Sequence, residues 1–155
     1  MTQPTNASLH DWVGKTETRR DTVTAWPVAA LSATLDRKDP EPGHADELPP
    51  GWHWLYFLDA APASELGADG HPRRGGFLPP VSLPRRMWAG GRIEFLQPLH
   101  IGDAVRRDSE IVSVESKQGR SGNLVFVTVR HTISVGDDIA VREEHDIVYL
   151  SLIHI

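Results

Sequence analysis

The sequence contains no cysteine. That removes disulfide scaffolding, thiolate nucleophiles and sulfur metal ligands together, and it fits a cytoplasmic protein. No apolar run is long enough to span a bilayer. The first residues, MTQPTNASLHDW, have neither the basic start nor the apolar core of a secretory signal. Positive charge is not in excess either. The 16 Lys and Arg against 21 Asp and Glu leave a net charge of −5, so no global basic field recruits nucleic acid or an anionic membrane. Also missing are the nucleophile elbow GxSxG, the phosphate-cradling P-loop, GxGxxG after a strand, and HExxH. GRSGN around Ser121 has no partner histidine and reads as a turn.

What is present fits one domain. A chain of 155 residues that is 39% hydrophobic and 24% charged can bury a core of ordinary composition. Residues 1–10 are polar and expected to be flexible. The stretch 21–38, DTVTAWPVAALSATLDRK, predicts one substantial helix, with Val23, Trp26, Pro27, Ala30, Leu31 and Thr34 on one face. Thr24 is placed to cap it, and Pro27 falls in the first turn, where a missing N–H is harmless. Residues 39–51 carry four prolines and two glycines and predict a loop. WHWLYFLD, 52–59, is aromatic-rich and predicts a buried strand. Residues 60–86 form a long irregular stretch, of the kind that is usually functional or mobile.

Strands follow at 87–99, 104–117, 123–135 and 139–149, separated in the last third by the turn signals KQGRSGN and GDD. The Gly-Gly pair in the first of these suits a bulge or a close backbone approach. Val125, Val127, Val129, His131, Ile133 and Val135 alternate onto one face of a strand. Ile139, Val141, Glu143, His145, Ile147 and Tyr149 do the same on the next. One early helix followed by an antiparallel sheet gives an α+β class. A helix wrapped by a curved sheet, the hot dog fold, is one architecture with this pattern.

Two groups of residues carry possible chemistry. HPRRGGFLPPVSLPRRMWAGG, 71–91, gathers His71, Arg73, Arg74, Arg85, Arg86, Trp88 and Gly90 among glycines and prolines. Arginine forks hold phosphates and carboxylates bidentately, Trp88 can cover an apolar or planar group, and prolines stiffen a binding wall. The segment reads either as a site for an anionic ligand with an extended apolar part or as a solvated basic loop. The second group is His131, Glu143 and His145. A GDD hairpin pairing 135 with 139 sets His131 opposite Glu143, giving either a His-Glu-His metal set or a cross-strand charge pair on a half-exposed face. Nothing fixes a fourth ligand, so no metal is assigned. His53 and Asp59, if on one extended strand, stand too far apart to act together.

Four segments then bring a resemblance. PPGWHWLYFLD, HPRRGGFLPPVSLPRRMWAGGRIEFLQPLHIGD, KQGRSGNLVFVTVRH and REEHDIVY together resemble the N-terminal half of MaoC-like, fatty-acid-synthase-type dehydratases. Within them, the group containing 3-methylfumaryl-CoA (mesaconyl-C4-CoA) hydratases is the most similar. The resemblance runs from about Trp12 to Tyr149. It implies a double hot dog, with the acyl-CoA in a tunnel between two halves and no cofactor beyond the thioester substrate. It implies an N-terminal hot dog domain over 11–149, a missing C-terminal half as partner, and possible homo-oligomerisation. The family's Asp/His hydratase motif, N-x-H-x-x-H-x-D, belongs to the C-terminal half and is absent here, so no catalytic residue is carried over. The 71–91 segment matches the family's signature loop and implies substrate contacts, with Arg85 or Arg86 meeting a carboxylate or a CoA phosphate. Residues 150–155, LSLIHI, fall outside the resemblance and match a reading frame of a transposon-end adapter; they are expected to be a non-native tail on a truncated chain. Alternatives are a self-contained homodimeric hot dog thioesterase, using Asp59 or Glu65, and an acyl-CoA-binding module.

Overall fold

The computed structural model describes residues 9–67, 69–119 and 122–151. The calls made for residues 1–8, for Ser121 in its turn and for 152–155 lie outside them. Five strands form one antiparallel sheet: β1 (Thr16–Thr22), β2 (Arg85–Phe95), β3 (Ala104–Gly119), β4 (Gly122–Val135) and β5 (Asp138–Leu150). Their order is β1-β3-β4-β5-β2. A helix, α1 (Ala25–Thr34), packs against it. The predicted α+β class and hot dog architecture hold.

β4 shows why the sheet forms. Its β-branched residues suit a pleated surface, and Val125, Val127, Val129, His131 and Ile133 alternate into the interior as expected. A two-residue connection joins it to β5, with Gly136 at φ 59°, the backbone that such a turn requires. The turn pairs Val135 with Asp138 rather than the expected residue 139, and a bulge that leaves Ala140 over restores the expected pairing of His131 with Glu143. A second bulge falls between Trp88 and Gly90, as the Gly-Gly pair predicted. The close approach belongs to Gly91, where a Cβ would stand 2.8 Å from the Glu144 carbonyl oxygen.

Three features differ from expectation. β1 was not anticipated, because TETRRDT is a charged edge strand with no apolar alternation. It claims Asp21 and Thr22 from the expected helix: Val23 donates its N–H to Asp103 and holds the chain extended. The helix is therefore shorter, and its buried face runs through Val28 and Ser32, leaving Trp26 78% exposed. Thr24 takes the capping backbone position without a side-chain cap bond.

The expected strand at 52–59 is instead a 3₁₀ turn, Trp52–Leu55. Gly51, at φ 87° after two prolines, turns the chain. A strand would send His53 and Trp54 to opposite faces; the turn brings both side chains to Glu143.

The interior holds two apolar clusters on the same sheet face. One joins Val28 of α1 to Val105, Ile133 and Val141. The other gathers Leu9, Ile111, Val127, Val129 and Tyr149, so Leu9, at the end of the polar N-terminal stretch, is core. Leu150 pairs with Arg85 and Leu124 and completes β5.

Candidate functional site

Between the two clusters the inner face turns polar. Glu143 on β5 lies at its centre, 4% exposed. Its Oε2 accepts from His53 Nε2 at 3.0 Å and from Trp54 Nε1 at 2.8 Å. His145 Nε2 stands 3.0 Å from Oε1, off the direction of a good hydrogen bond. Burial opposes the charge on Glu143, but these three donors outweigh it and hold the carboxyl below the ordinary carboxylate range. Opposite, His131 Nδ1 is 2.8 Å from Ser109 Oγ, and its ring meets that of His145 edge-on at 4.9 Å. Burial pushes His131 down to about 4, with Arg107 and His145 adding positive charge nearby.

The cross-strand pairing of His131 with Glu143 is as expected, but this face is buried rather than half-exposed. The ligand atoms of His131, Glu143 and His145 lie within 4.8 Å of one another. A cation there would have to take Glu143 from three donors and sit in the field of Arg107, so the donor chemistry suits a proton network better than a metal.

A cleft of about 420 Å³ opens onto this belt. His71, Arg73, Arg74 and Arg86 line it, together with Arg19, Arg107, His131 and His145. Four of the seven sequence-derived binding candidates thus converge. The other three do not: Arg85 is exposed, Trp88 is 65% exposed on edge strand β2, and Gly90 faces Asp146. Two of the convergent arginines have structural partners. Arg74 braces its own loop by donating to the carbonyls of Val81, Leu83 and Pro84, and Arg73 donates to Ser64. Asp59 reaches the cleft but pairs with Arg19, and Glu65 lies outside it. A second cavity of about 460 Å³, beside Leu9 and Val81, offers only Lys117 as a titratable lining group among the described residues.

Arg107 and Ser109 escaped the sequence reading, and His53 was considered there only with Asp59. Arg107 and Ser109 sit in RRDSE on β3, where only the strand's phase marks which side chains turn inward.

This sheet wrapped on a helix, with a buried polar belt under an arginine-lined cleft, defines a hot dog domain. The sequence narrows it. Residues 51–153 match the profile of hydroxyacyl-thioester dehydratase type 2, and the chain belongs to that family. It is 48% identical over 138 residues, 89% of its length, to mesaconyl-C(4)-CoA hydratase of Chloroflexus aurantiacus, covering 49% of that protein. It is 34% identical over 89 residues, 53% of its length, to the mitochondrial hydroxyacyl-thioester dehydratase type 2 of Schizosaccharomyces pombe, covering 30% of it. The chain thus spans half or less of the length of these relatives.

Among solved structures, the ChsH1-ChsH2 complex from Mycobacterium tuberculosis matches with a TM-score of 0.69 at 15% identity, over 96% of this chain and 90% of that one. The HadBC 3R-hydroxyacyl-ACP dehydratase complex of the same organism matches at 0.54 and 15% identity, over 90% and 98%. At these identities the likeness establishes the fold. Among the described residues, no helix is long and apolar enough to cross a membrane.

Proposed function

We propose that this chain is the N-terminal, non-catalytic half of a cytoplasmic acyl-CoA hydratase/dehydratase. The whole enzyme adds water to an α,β-unsaturated acyl-CoA such as 3-methylfumaryl-CoA (mesaconyl-C4-CoA), and this half forms one wall of the thioester tunnel. The observation that carries the reading is the 48% identity to mesaconyl-C(4)-CoA hydratase, spread over 138 residues but covering 49% of that protein. Two structural features support it. The cleft offers cationic side chains and an apolar flank of Val129 and Ile147, suited to a charged, partly apolar ligand. Strand β2 ends the sheet and exposes Met87, Trp88, Ile93 and Phe95, a surface that a second half would cover.

On this reading hydration proceeds by general acid/base chemistry. An Asp and a His of the other half activate water for attack on the β-carbon, and hydrogen bonds stabilise the thioester oxygen as enolate charge develops. The thioester enters as substrate and no further cofactor takes part. This half supplies shape and charge: Arg86 meets a CoA phosphate, and Arg74 keeps the 71–84 loop in place.

The test follows loss of enoyl-thioester absorbance with mesaconyl-C4-CoA and crotonyl-CoA, using this chain alone and then mixed with a separately expressed C-terminal half from a relative. Activity is expected in the mixture only. Turnover by the chain alone would sink the reading in favour of a self-contained homodimer, and inactivity of the mixture would count equally against it.

A further inference from the structure

The cationic side chains around the cleft are mostly committed. Arg19 is paired with Glu17 and Asp59. Arg73 and Arg74 hold loop carbonyls. Arg107 differs. It projects from β3 onto the inner face, one step along from the Ser109–His131 pair. Its Nε is buried without a hydrogen-bond partner, and its guanidinium lies 5.0 Å from the Phe57 ring. Among the described residues it makes no ion pair. The carboxylates within its field are Glu143, Glu17 and Asp59. The first is held by His53, Trp54 and His145, and the other two by Arg19.

A half-buried guanidinium left without an anion is costly, and proteins normally pair it. Burial accordingly lowers the pKa of Arg107. The side chain nevertheless lines an open cleft of about 420 Å³, so the missing partner can arrive from outside. His131 and His145 line the same cleft beside it.

We propose that Arg107 is the receptor for a free carboxylate carried on the acyl group of the substrate, so that this half selects thioesters of dicarboxylic acids over neutral acyl thioesters. The inference rests on the reading of the cleft as an acyl-CoA site. The position of Arg107 on the sheet, beside His131 and His145 at the inner wall of the cleft, favours the acyl carboxylate over a CoA phosphate, because the guanidinium fork suits a small planar anion. The hydrated phosphates suit the exposed loop arginines. Selectivity of this kind arises because a neutral acyl group would cover the half-buried cation and leave it unpaired.

Calorimetric titration of the whole chain with mesaconyl-C4-CoA and crotonyl-CoA tests this, since both carry the CoA phosphates and only the first has the acyl carboxylate. A preference of tenfold or more for mesaconyl-C4-CoA is expected. Arg107→Gln should reduce it below about twofold with crotonyl-CoA affinity unchanged, and Arg106→Gln, on the opposite face and bound to Asp108, should keep it. Equal binding of the two thioesters by the wild type, or a preference surviving in Arg107→Gln, overturns the proposal.

Free methylfumarate separates the two levels of inference. Arg107, His145, Glu143 and His53 all act on His131, and an anion bound among them should raise its titration midpoint, read by histidine NMR. That rise should occur in the wild type, shrink in Arg107→Lys and vanish in Arg107→Gln. If it does so while neither thioester binds, the anion receptor stands and the acyl-CoA reading falls. If crotonyl-CoA binds but methylfumarate leaves His131 unmoved, the reverse holds.

Discussion

The inner column of β4 runs Val125, Val127, Val129, His131, Ile133, and its ends and its middle follow different physics. At the ends, burial is its own reason. Ile133 is 1% exposed among Val28, Val105 and Val141, and Val127 and Val129 are equally sealed against Ile111 and Tyr149. Removing such surfaces from water stabilises the fold by about 1.5–3 kcal/mol per side chain. In the middle, five polar side chains occupy positions that aliphatic residues would fill at less cost: His131, Ser109, Glu143, His145 and His53. They satisfy much of each other's bonding capacity, so the belt is tolerated. The Arg107 Nε goes unsatisfied on a residue of the cleft, and the Tyr149 hydroxyl is buried without a partner at one apolar end. The contrast teaches that the belt is kept for something other than stability.

The largest effect should come from breaking the belt at its hub. Glu143→Ala leaves the buried His53 donor unpaired and opens a cavity, so a loss of about 4 kcal/mol is expected in urea unfolding at neutral pH. Ile133→Ala, one pair away along β4, is the apolar counterpart and should cost about 3 kcal/mol. The two should also differ in character, because the Ile133→Ala loss stays constant between about pH 4 and 7. A Glu143→Ala cost below about 1 kcal/mol would show that the network does not hold the belt together.

The pH dependence of stability sharpens the same contrast. His131 moves from 6.5 in the unfolded chain to about 4 in the fold, chiefly through burial. Between those values the unfolded chain takes up a proton that the folded chain refuses. Stability is therefore complete above about pH 6.5 and falls as the pH drops toward 4, by at most about 3 kcal/mol and nearer 2 where cleft water reaches the ring. His131→Gln should flatten this part of the curve, so a slope identical to wild type would assign the loss to other groups.

The ends of the column were legible in the sequence and the middle was only half so. Alternating β-branched residues announce a strand and its inward face, but the pairing of His131 with Glu143 was expected from a 135–139 turn, whereas the turn closes on Asp138 and the bulge at Ala140 restores that pairing. The belt's remaining members come from elsewhere. His53 and Trp54 reach Glu143 because Pro49, Pro50 and Gly51 turn the chain into a 3₁₀ segment, whereas their aromatic composition imitates a strand. Arg107 looks like any charge in VRRDSE; its inward phase follows from pairing with Ile133, a contact 26 residues away in sequence. Sequence found the arginine loop but could not show that Arg73 and Arg74 spend their donors on their own backbone. That is a tertiary fact.

The smallest effect on stability should lie where the sheet ends. On β2, Trp88 stands beside Ile147 in register yet is 65% exposed, on the same face as Ile93 and Phe95. Its ring covers little of this chain's own core, so Trp88→Ser should change unfolding free energy by less than about 0.5 kcal/mol, the usual range for surface substitutions. A large aromatic at the outer edge of a sheet nevertheless carries solvation cost that a partner would relieve. The same substitution should therefore weaken co-elution with a separately expressed C-terminal half by tenfold or more. Small change in the first measurement and large change in the second would mark β2 as a surface kept for assembly, as the belt is kept for a ligand. A stability loss above about 1 kcal/mol with assembly intact would instead make Trp88 part of this chain's own packing, and the contrast between column and edge would disappear.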